Sequence, residues 1–221
     1  MIVKKILILG AGGHARVLLD ALLLQKRSIL GILDQSNKKK GQTVLGTQVL
    51  GDDELLKQYS PQDVELVNGV GSIDVRSCEQ RQDIYNKAKT LGFKFAQVIH
   101  PTAIIAKDAM LGEGTQVMAG AVVQSGSHIG NNVIINTGAL IDHDAVIGDH
   151  THIAPGVTLS GNVQIGLLCQ IGVGAKIIQG IKIGDQTLIG AGAIITQNVG
   201  SNKKVKVLTA QGQQETDCLV D

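Results

Sequence analysis

From Ile105 to Ile195 an aliphatic residue stands at every sixth position without a miss, sixteen positions in phase. Glycine follows the aliphatic at Gly112, Gly130, Gly148, Gly166, Gly172, Gly184 and Gly190. The residue four after it is small or β-branched at Ala109, Thr115, Ala121, Ser127, Ala139, Ala145, Thr151, Ala175, Thr187 and Ala193. A short, strict period sustained this long implies a stacked architecture, because each repeat can bury its apolar face only against its neighbours. Six residues are too few for a hairpin strand plus loop. They suit one flat side of a coil whose neighbours lie about 4.8 Å above and below. The aliphatic and the small residue point inward and alternate with outward positions. The glycine is expected to turn the chain where a Cβ would be crowded. The unbroken phase predicts that no long loop leaves the prism.

This pattern resembles the hexapeptide-repeat left-handed parallel β-helix, in which three hexads close one triangular coil of eighteen residues. The resemblance implies about five coils and a prism on the order of 25 Å long. A thin interior has room for ladders of Ile, Val and Ala but not for large rings, and the chain carries 2% aromatics, 28 Gly and no Trp. At 221 residues two modest domains fit. Twenty basic against nineteen acidic residues give no global field for nucleic acid. Cys78, Cys169 and Cys218 are far apart with no CxxC, which reads as free thiols in a reducing cytosol, with Cys169 in an inward slot. The short apolar run at the start ends in a glycine turn, so no signal peptide is expected. No stretch is long enough to span a membrane. A cytoplasmic protein is therefore expected.

Residues 1–100 read differently. An apolar run (3–9) leads into Gly10-Ala11-Gly12-Gly13-His14-Ala15 and an amphipathic stretch from Ala15 to Lys26. Strands are predicted at Ser28 to Leu33, Val64 to Val70 and Lys94 to Val98, with helices at Asp53 to Tyr59 and Asp74 to Leu91. Alternating β and α predicts a parallel sheet with helices on its faces, a Rossmann-like α/β domain joined at His100-Pro101 to an all-β domain of residues 101–221. Gly10-x-Gly12-x-x-Ala15 is a variant of the dinucleotide fingerprint, and Asp34 lies where a ribose-binding acid would stand. An NAD enzyme is the rival reading. Against it, the domain is half of a dinucleotide fold. Helix N-terminal amides hold the phosphates of a nucleotide sugar equally well. His14 is open between reaching a phosphate or sugar and capping a helix on the surface.

Four of the six histidines fall on the repeats: His128, His143, His150 and His152. His128 and His152 occupy outward strand positions. For His128 and His150 a solvated side chain is the plainer reading. His143, in Ile141-Asp142-His143-Asp144, sits at a corner between two carboxylates, which can fix its tautomer and raise its basicity. One coil above stands Gly161, whose backbone N–H beside a base makes an acyl-transfer site. The four histidines do not all share one strand offset and lack cysteine nearby, so no metal site is expected.

The pairing of GAGGHARV with INTGALIDHD resembles the bacterial sialic-acid and nucleotide-amino-sugar acetyltransferases, across both domains and in order. The resemblance implies acetyl transfer from acetyl-CoA, a co-substrate rather than a bound cofactor, to a sugar amine or hydroxyl. It implies His143 as general base, oriented by Asp144 or Asp142, and Asn136 near the acceptor amine. His152 and the Gly161 backbone would face the thioester. Gly10, Gly12, Gly13, His14 and Asp34 would line the acceptor pocket. Family members are trimers with CoA between neighbouring prisms, and outward Val122, Ile134, Val146 and Leu168 offer apolar faces for such an assembly. The expected reaction is N-acetylation of a nucleotide-linked, first of all UDP-linked, 4-amino-4,6-dideoxy sugar. The alternatives are O-acetylation of a sialic acid and a non-catalytic trimeric scaffold. The chain departs from the family at its end. Val205 to Ala210 and a polar tail replace a Gly-Val-Pro-Ala-Lys-like segment, and Lys203, Lys204 and Lys206 are candidates for CoA phosphates or a solvated charge run.

Overall fold

The computed structural model describes residues 4–208 and 212–217. The repeats form a prism with three parallel sheets as faces. Each strand pairs with the strand eighteen residues on: Val122 with Leu140, His128 with Val146, Ile134 with His152. The aliphatic and small positions point inward and make one continuous core from Val117 to Val205. Cys169 is part of that core. The prism starts before the first hexad, because Val98–Ile99 already pairs with Gln116–Val117. On the same face Lys203–Leu208 adds to the ladder and pairs antiparallel with Gly212–Asp217. Thr209, Ala210 and Cys218 lie outside the described residues.

The corners divide two tasks that the sequence reading gave to one glycine. The glycine after the aliphatic is crowded, since a Cβ on Gly112 or Gly148 would stand 2.5 Å from a carbonyl carbon of the next coil. It is not where the chain turns. Two residues later the backbone enters the left-handed region at every corner from Gly114 to Gly192. Glycine fills that place in half or more of the corners. Asn132, Asp144, Asn162 and His150 are residue types that tolerate it, and Leu168 and Gln186 occupy it less readily.

The N-terminal part carries β1 (Lys5–Leu9), α1 (Gly13–Leu24), β2 (Ile29–Leu33), β3 (Thr43–Val44), β4 (Thr47–Gly51), β5 (Val64–Asn68) and α2 (Val75–Thr90). The strand order is β3-β4-β2-β1-β5. α1 buries Ala15, Leu18, Leu19, Ala21 and Leu22. Asp74 and Ser77 close a capping box at the start of α2. Three expectations change. The β3–β4 hairpin, with β4 parallel to β2, was not predicted. Residues Asp53–Gln58 are a 3-10 helix. The strand expected at 94–98 reduces to a bridge between Leu66 and Phe95, because the chain there already crosses to the prism. Among the described residues no helix is long and apolar enough to cross a membrane.

The N-terminal part is docked on one prism face and one corner. On the face, Gln116, Ile134, His152 and Gln170 point outward yet are buried. Gln116 bonds His14 and donates to the Asn68 carbonyl. Along the corner, α2 lies against Asn132 and His150. Arg81 is wholly buried and donates to Val70 and Asn132, while Tyr85 meets the His150 ring edge-on. His150 is therefore not a solvated side chain. Ile134 and Leu168 are covered within the chain and are not free for a partner. Burial, with the Arg81 charge nearby, pushes His14 down to about 3 and His152 down to about 4. Burial also lowers His150.

These rings are neutral when folded and take up protons near pH 6.5 when unfolded, so stability falls as pH drops below that value. For His152 alone the loss between pH 7 and pH 5 is about 2 kcal/mol. Urea unfolding at the two pH values is expected to show at least this loss. Equal stability at both would contradict the buried, neutral histidines.

Candidate functional site

His143 stands at the corner between strands Leu140–Ile141 and Val146–Ile147, on the side of the prism away from the docked part. Asp144 occupies the left-handed turn position, at φ 56°. That backbone folds its carboxylate back beside the preceding side chain, and Asp144 Oδ2 lies 2.8 Å from His143 Nδ1. Asp142 instead accepts from the His143 backbone N–H. Of the two flanking carboxylates, Asp144 is the one bonded to the ring. The opposite ring nitrogen, Nε2, faces Gly161 on the next coil. A Cβ on Gly161 would stand 2.5 Å from Cε1 of His143, so only glycine admits the ring there. Among the described residues no acceptor takes the Gly161 amide, which remains available to an incoming oxygen. The hydrogen bond to Asp144 raises His143 above its ordinary value, against a smaller opposing effect of desolvation.

The two faces meeting at this corner expose apolar side chains. Ile104 is 65% exposed and Leu140 44% on one; Met110 is 58% and Val146 44% on the other. His128 is exposed on the second of these faces. Asn136 and His152 lie one corner away. Asn136 Nδ2 is 3.1 Å from His152 Nε2. His152, outward on its strand as predicted, is nevertheless only 6% exposed, because Ser72 of the N-terminal part covers it.

A second concavity, about 530 Å³, opens where β2 and β5 diverge on either side of β1. Leu9, Gly10, Asp34, Ser36, Val70 and Asp83 are among its lining residues. Crevices at the carboxyl ends of strands, where strand order reverses, are where open α/β sheets take ligands. Gly10 has φ +99°, and a Cβ there would stand 2.9 Å from Val70. Gly12 and Gly13 have open space before them, and no side chain caps α1 and no acidic residue occupies its first turn. Its free amides favour an anion. Asp34 is held by Ala11 N, Ser36 N and Lys39, and these bonds keep its carboxyl below the usual range against desolvation. His14 is not a free surface cap: its Nε2 bonds Gln116 of the prism. The sequence reading missed Gln116, Gln170, Ser72 and Arg81. A glutamine at an outward strand position looks like any solvated one until another part of the chain covers it.

Residues 5–87 match the PglD N-terminal domain, and residues 108–143 and 126–161 match the bacterial transferase hexapeptide (six repeats) family. A variant of the perosamine N-acetyltransferase of Caulobacter crescentus, solved with CoA and GDP-perosamine, is 34% identical. The match covers 93% of this chain and 94% of that one, with a TM-score of 0.85. The chain belongs to the nucleotide-amino-sugar N-acetyltransferase family. The acetyltransferase domain of PglB from Neisseria gonorrhoeae, solved with acetyl coenzyme A, is 35% identical over 92% of this chain and 96% of that one, at a TM-score of 0.85. WeeI from Acinetobacter baumannii, 24% identical over 92% and 97% at a TM-score of 0.81, shares the fold. No curated protein sequence matches the chain. The two-part architecture is thus an α/β N-terminal part followed by the family's left-handed β-helix.

The raised His143 value is expected in an NMR titration of the imidazole, with a midpoint above 6.5. Asp144→Asn replaces the charged acceptor by a neutral one and lowers the midpoint. A midpoint unmoved by that substitution would contradict the pairing.

Proposed function

We propose that this acetyl-CoA-dependent sugar N-acetyltransferase acts on the 4-amino group of a nucleotide-linked 4-amino-4,6-dideoxy sugar, with UDP as the nucleotide. The observation that carries the reading is the His143–Asp144 pair set against Gly161 on an otherwise flat prism corner. The sugar amine attacks the thioester carbonyl. His143 Nε2 takes the amine proton as the C–N bond forms. The Gly161 amide steadies the carbonyl oxygen while negative charge sits on it. The C–S bond then breaks and CoA leaves as the thiolate, which the proton held by His143 neutralises. Asp144 keeps the accepting nitrogen on the far side of the ring and stabilises the imidazolium. Asn136 and His152 lie one corner away from His143 within a chain, so in the homotrimer the Asn136 that faces the acceptor amine, with His152 behind it, comes from a neighbouring chain.

Residues 1–100 bind the acceptor and residues 101–221 carry the transfer. Phosphates rest on the amides of Gly12 and Gly13, and the nucleoside lies in the crevice of Gly10 and Asp34. His14 bonds the prism through Nε2 and lines the acceptor pocket beside this turn. The exposed apolar faces around Leu140 and Val146 are buried in a homotrimer, and acetyl-CoA lies between neighbouring prisms beside His143. The GDP-linked sugar is the competing acceptor, because a relative of 34% identity was solved with GDP-perosamine. The protein works in the cytoplasm, where acetyl-CoA is found.

His143→Ala is expected to lower kcat by about 10²–10⁴-fold with acetyl-CoA affinity unchanged, whereas His128→Ala changes neither. Equal losses at both positions would point to a structural effect. Gly13→Leu places a side chain where phosphate meets the helix N-terminus, so the acceptor KM rises while the acetyl-CoA Kd stays constant. Parallel loss of both ligands would refute the division of labour. Light scattering is expected to give a trimer, and a monomer at micromolar concentration would sink the intersubunit CoA site.

A further inference from the structure

We propose that Ser72 and Gln170 are positioning residues for the reaction, acting through His152 on Asn136. This rests on the reading of Asn136 as the group facing the acceptor amine. Ser72 belongs to the loop after β5, in the part assigned to the acceptor, whereas Gln170 and His152 are outward residues of successive prism coils. The Nδ1 atom of His152 lies 2.8 Å from the Ser72 carbonyl and 3.1 Å from Gln170 Oε1. The Ser72 carbonyl can only accept, so Nδ1 presents a proton and Gln170 turns its oxygen, not its amide nitrogen, to the ring; Ser72 Oγ lies 2.7 Å from that same oxygen. Facing two oxygens, Nδ1 carries the proton. The other nitrogen, Nε2, then has a lone pair to accept from Asn136 Nδ2, at 3.1 Å.

That acceptor fixes which way the Asn136 amide points. Its Oδ1 is turned the other way and accepts from Thr137 N at 2.8 Å. A flipped amide would set NH₂ against the Thr137 N–H and lose both bonds. With the ring protonated on Nε2, the Asn136 donor would face another donor. The orientation of a group at the reacting amine is thereby set by a loop of the acceptor-binding part. The same loop carries Val70, a wall of the nucleotide crevice, which Arg81 ties to Asn132 of the prism. Burial and the Arg81 charge on α2 oppose protonation of the ring. Cys78 of α2, bonded to Ser72 Oγ, is itself held as a neutral thiol by burial.

Two substitutions test the relay. Gln170→Met keeps the volume and removes the acceptor. The expected result is a kcat lowered about 10-fold, the size of a small misorientation, with the acetyl-CoA Kd and the melting temperature close to wild type. Gln170→Glu sets a carboxylate against Nδ1 and raises the proton affinity of the ring. The His152 midpoint in an NMR titration then moves up from about 4 by about one unit or more, an effect that loss of packing would not produce. In the wild type, ¹⁵N shifts of labelled histidine are expected to give His152 as the neutral Nδ1–H tautomer. That readout needs neither variant to fold, and it stands even if His143→Ala leaves turnover intact and the base assignment fails. An Nε2–H tautomer, a His152 midpoint unmoved by Gln170→Glu, or a Gln170→Met kcat equal to wild type would each overturn the proposal.

Discussion

One backbone constraint underlies the rest: every prism corner from Gly114 to Gly192 turns through a left-handed residue at the same place in its hexad. That regular turn keeps each strand in register with the one eighteen residues away, so side chains at equal offsets stack in columns. The candidate site is a local use of this rule. Asp144 is the turn residue of its corner, so its carboxylate folds back onto His143. Gly161 follows His143 by one coil, so the ring has a backbone amide and no side chain above it. Gly126, one coil below Asp144, lacks the Cβ that would meet the carboxylate. Three successive coils thus leave room for one exposed imidazole–carboxylate pair.

The second constraint is the docking of the N-terminal part. The prism alone would present Gln116, Ile134, His152 and Gln170 to solvent. Covered by the loop after β5 and the start of α1, they become a buried polar layer in which the hydrogen bonds run between the two parts. A buried polar layer favours one arrangement of partners, because any other leaves groups unpaired in a low-dielectric setting. Arg81 adds a buried guanidinium with no carboxylate among its bonded partners, held by backbone and amide oxygens. The N-terminal part and the prism residues Asn136 and His152 are thereby held in a fixed relation.

The prism was legible because a six-residue period is a direct imprint of coil geometry. Ile105 to Ile195 all point inward, and no insertion disturbs the count. The strand–glycine turn–helix at Lys5 to Leu24 was equally plain, since glycine spacing and apolar periodicity agree there. His143 stood out through its two flanking carboxylates, yet the choice between Asp142 and Asp144 needed the corner backbone. What stayed hidden was whatever depends on contact between the two parts. His150, Ile134 and Leu168 look outward in the hexad and are buried within the chain. His14 sits in a ligand-binding motif and bonds Gln116, about a hundred residues away in sequence. The β3–β4 hairpin was missed because strands of two and five residues carry too little periodicity to register.

The central claim is that the acceptor held at the Gly10–Gly13 turn is a nucleotide-linked amino sugar and that its amine receives the acetyl group. The most direct test is a turnover panel with acetyl-CoA against UDP- and GDP-linked 4-amino-4,6-dideoxy sugars and free sialic acids, reading thiol release and the mass and amide signal of each product. The account predicts thiol release with a nucleotide-linked amino sugar only, and an acetamide at its C4 nitrogen. An ester on a free sialic acid, or no turnover with any amino sugar together with micromolar binding of NAD, would contradict it.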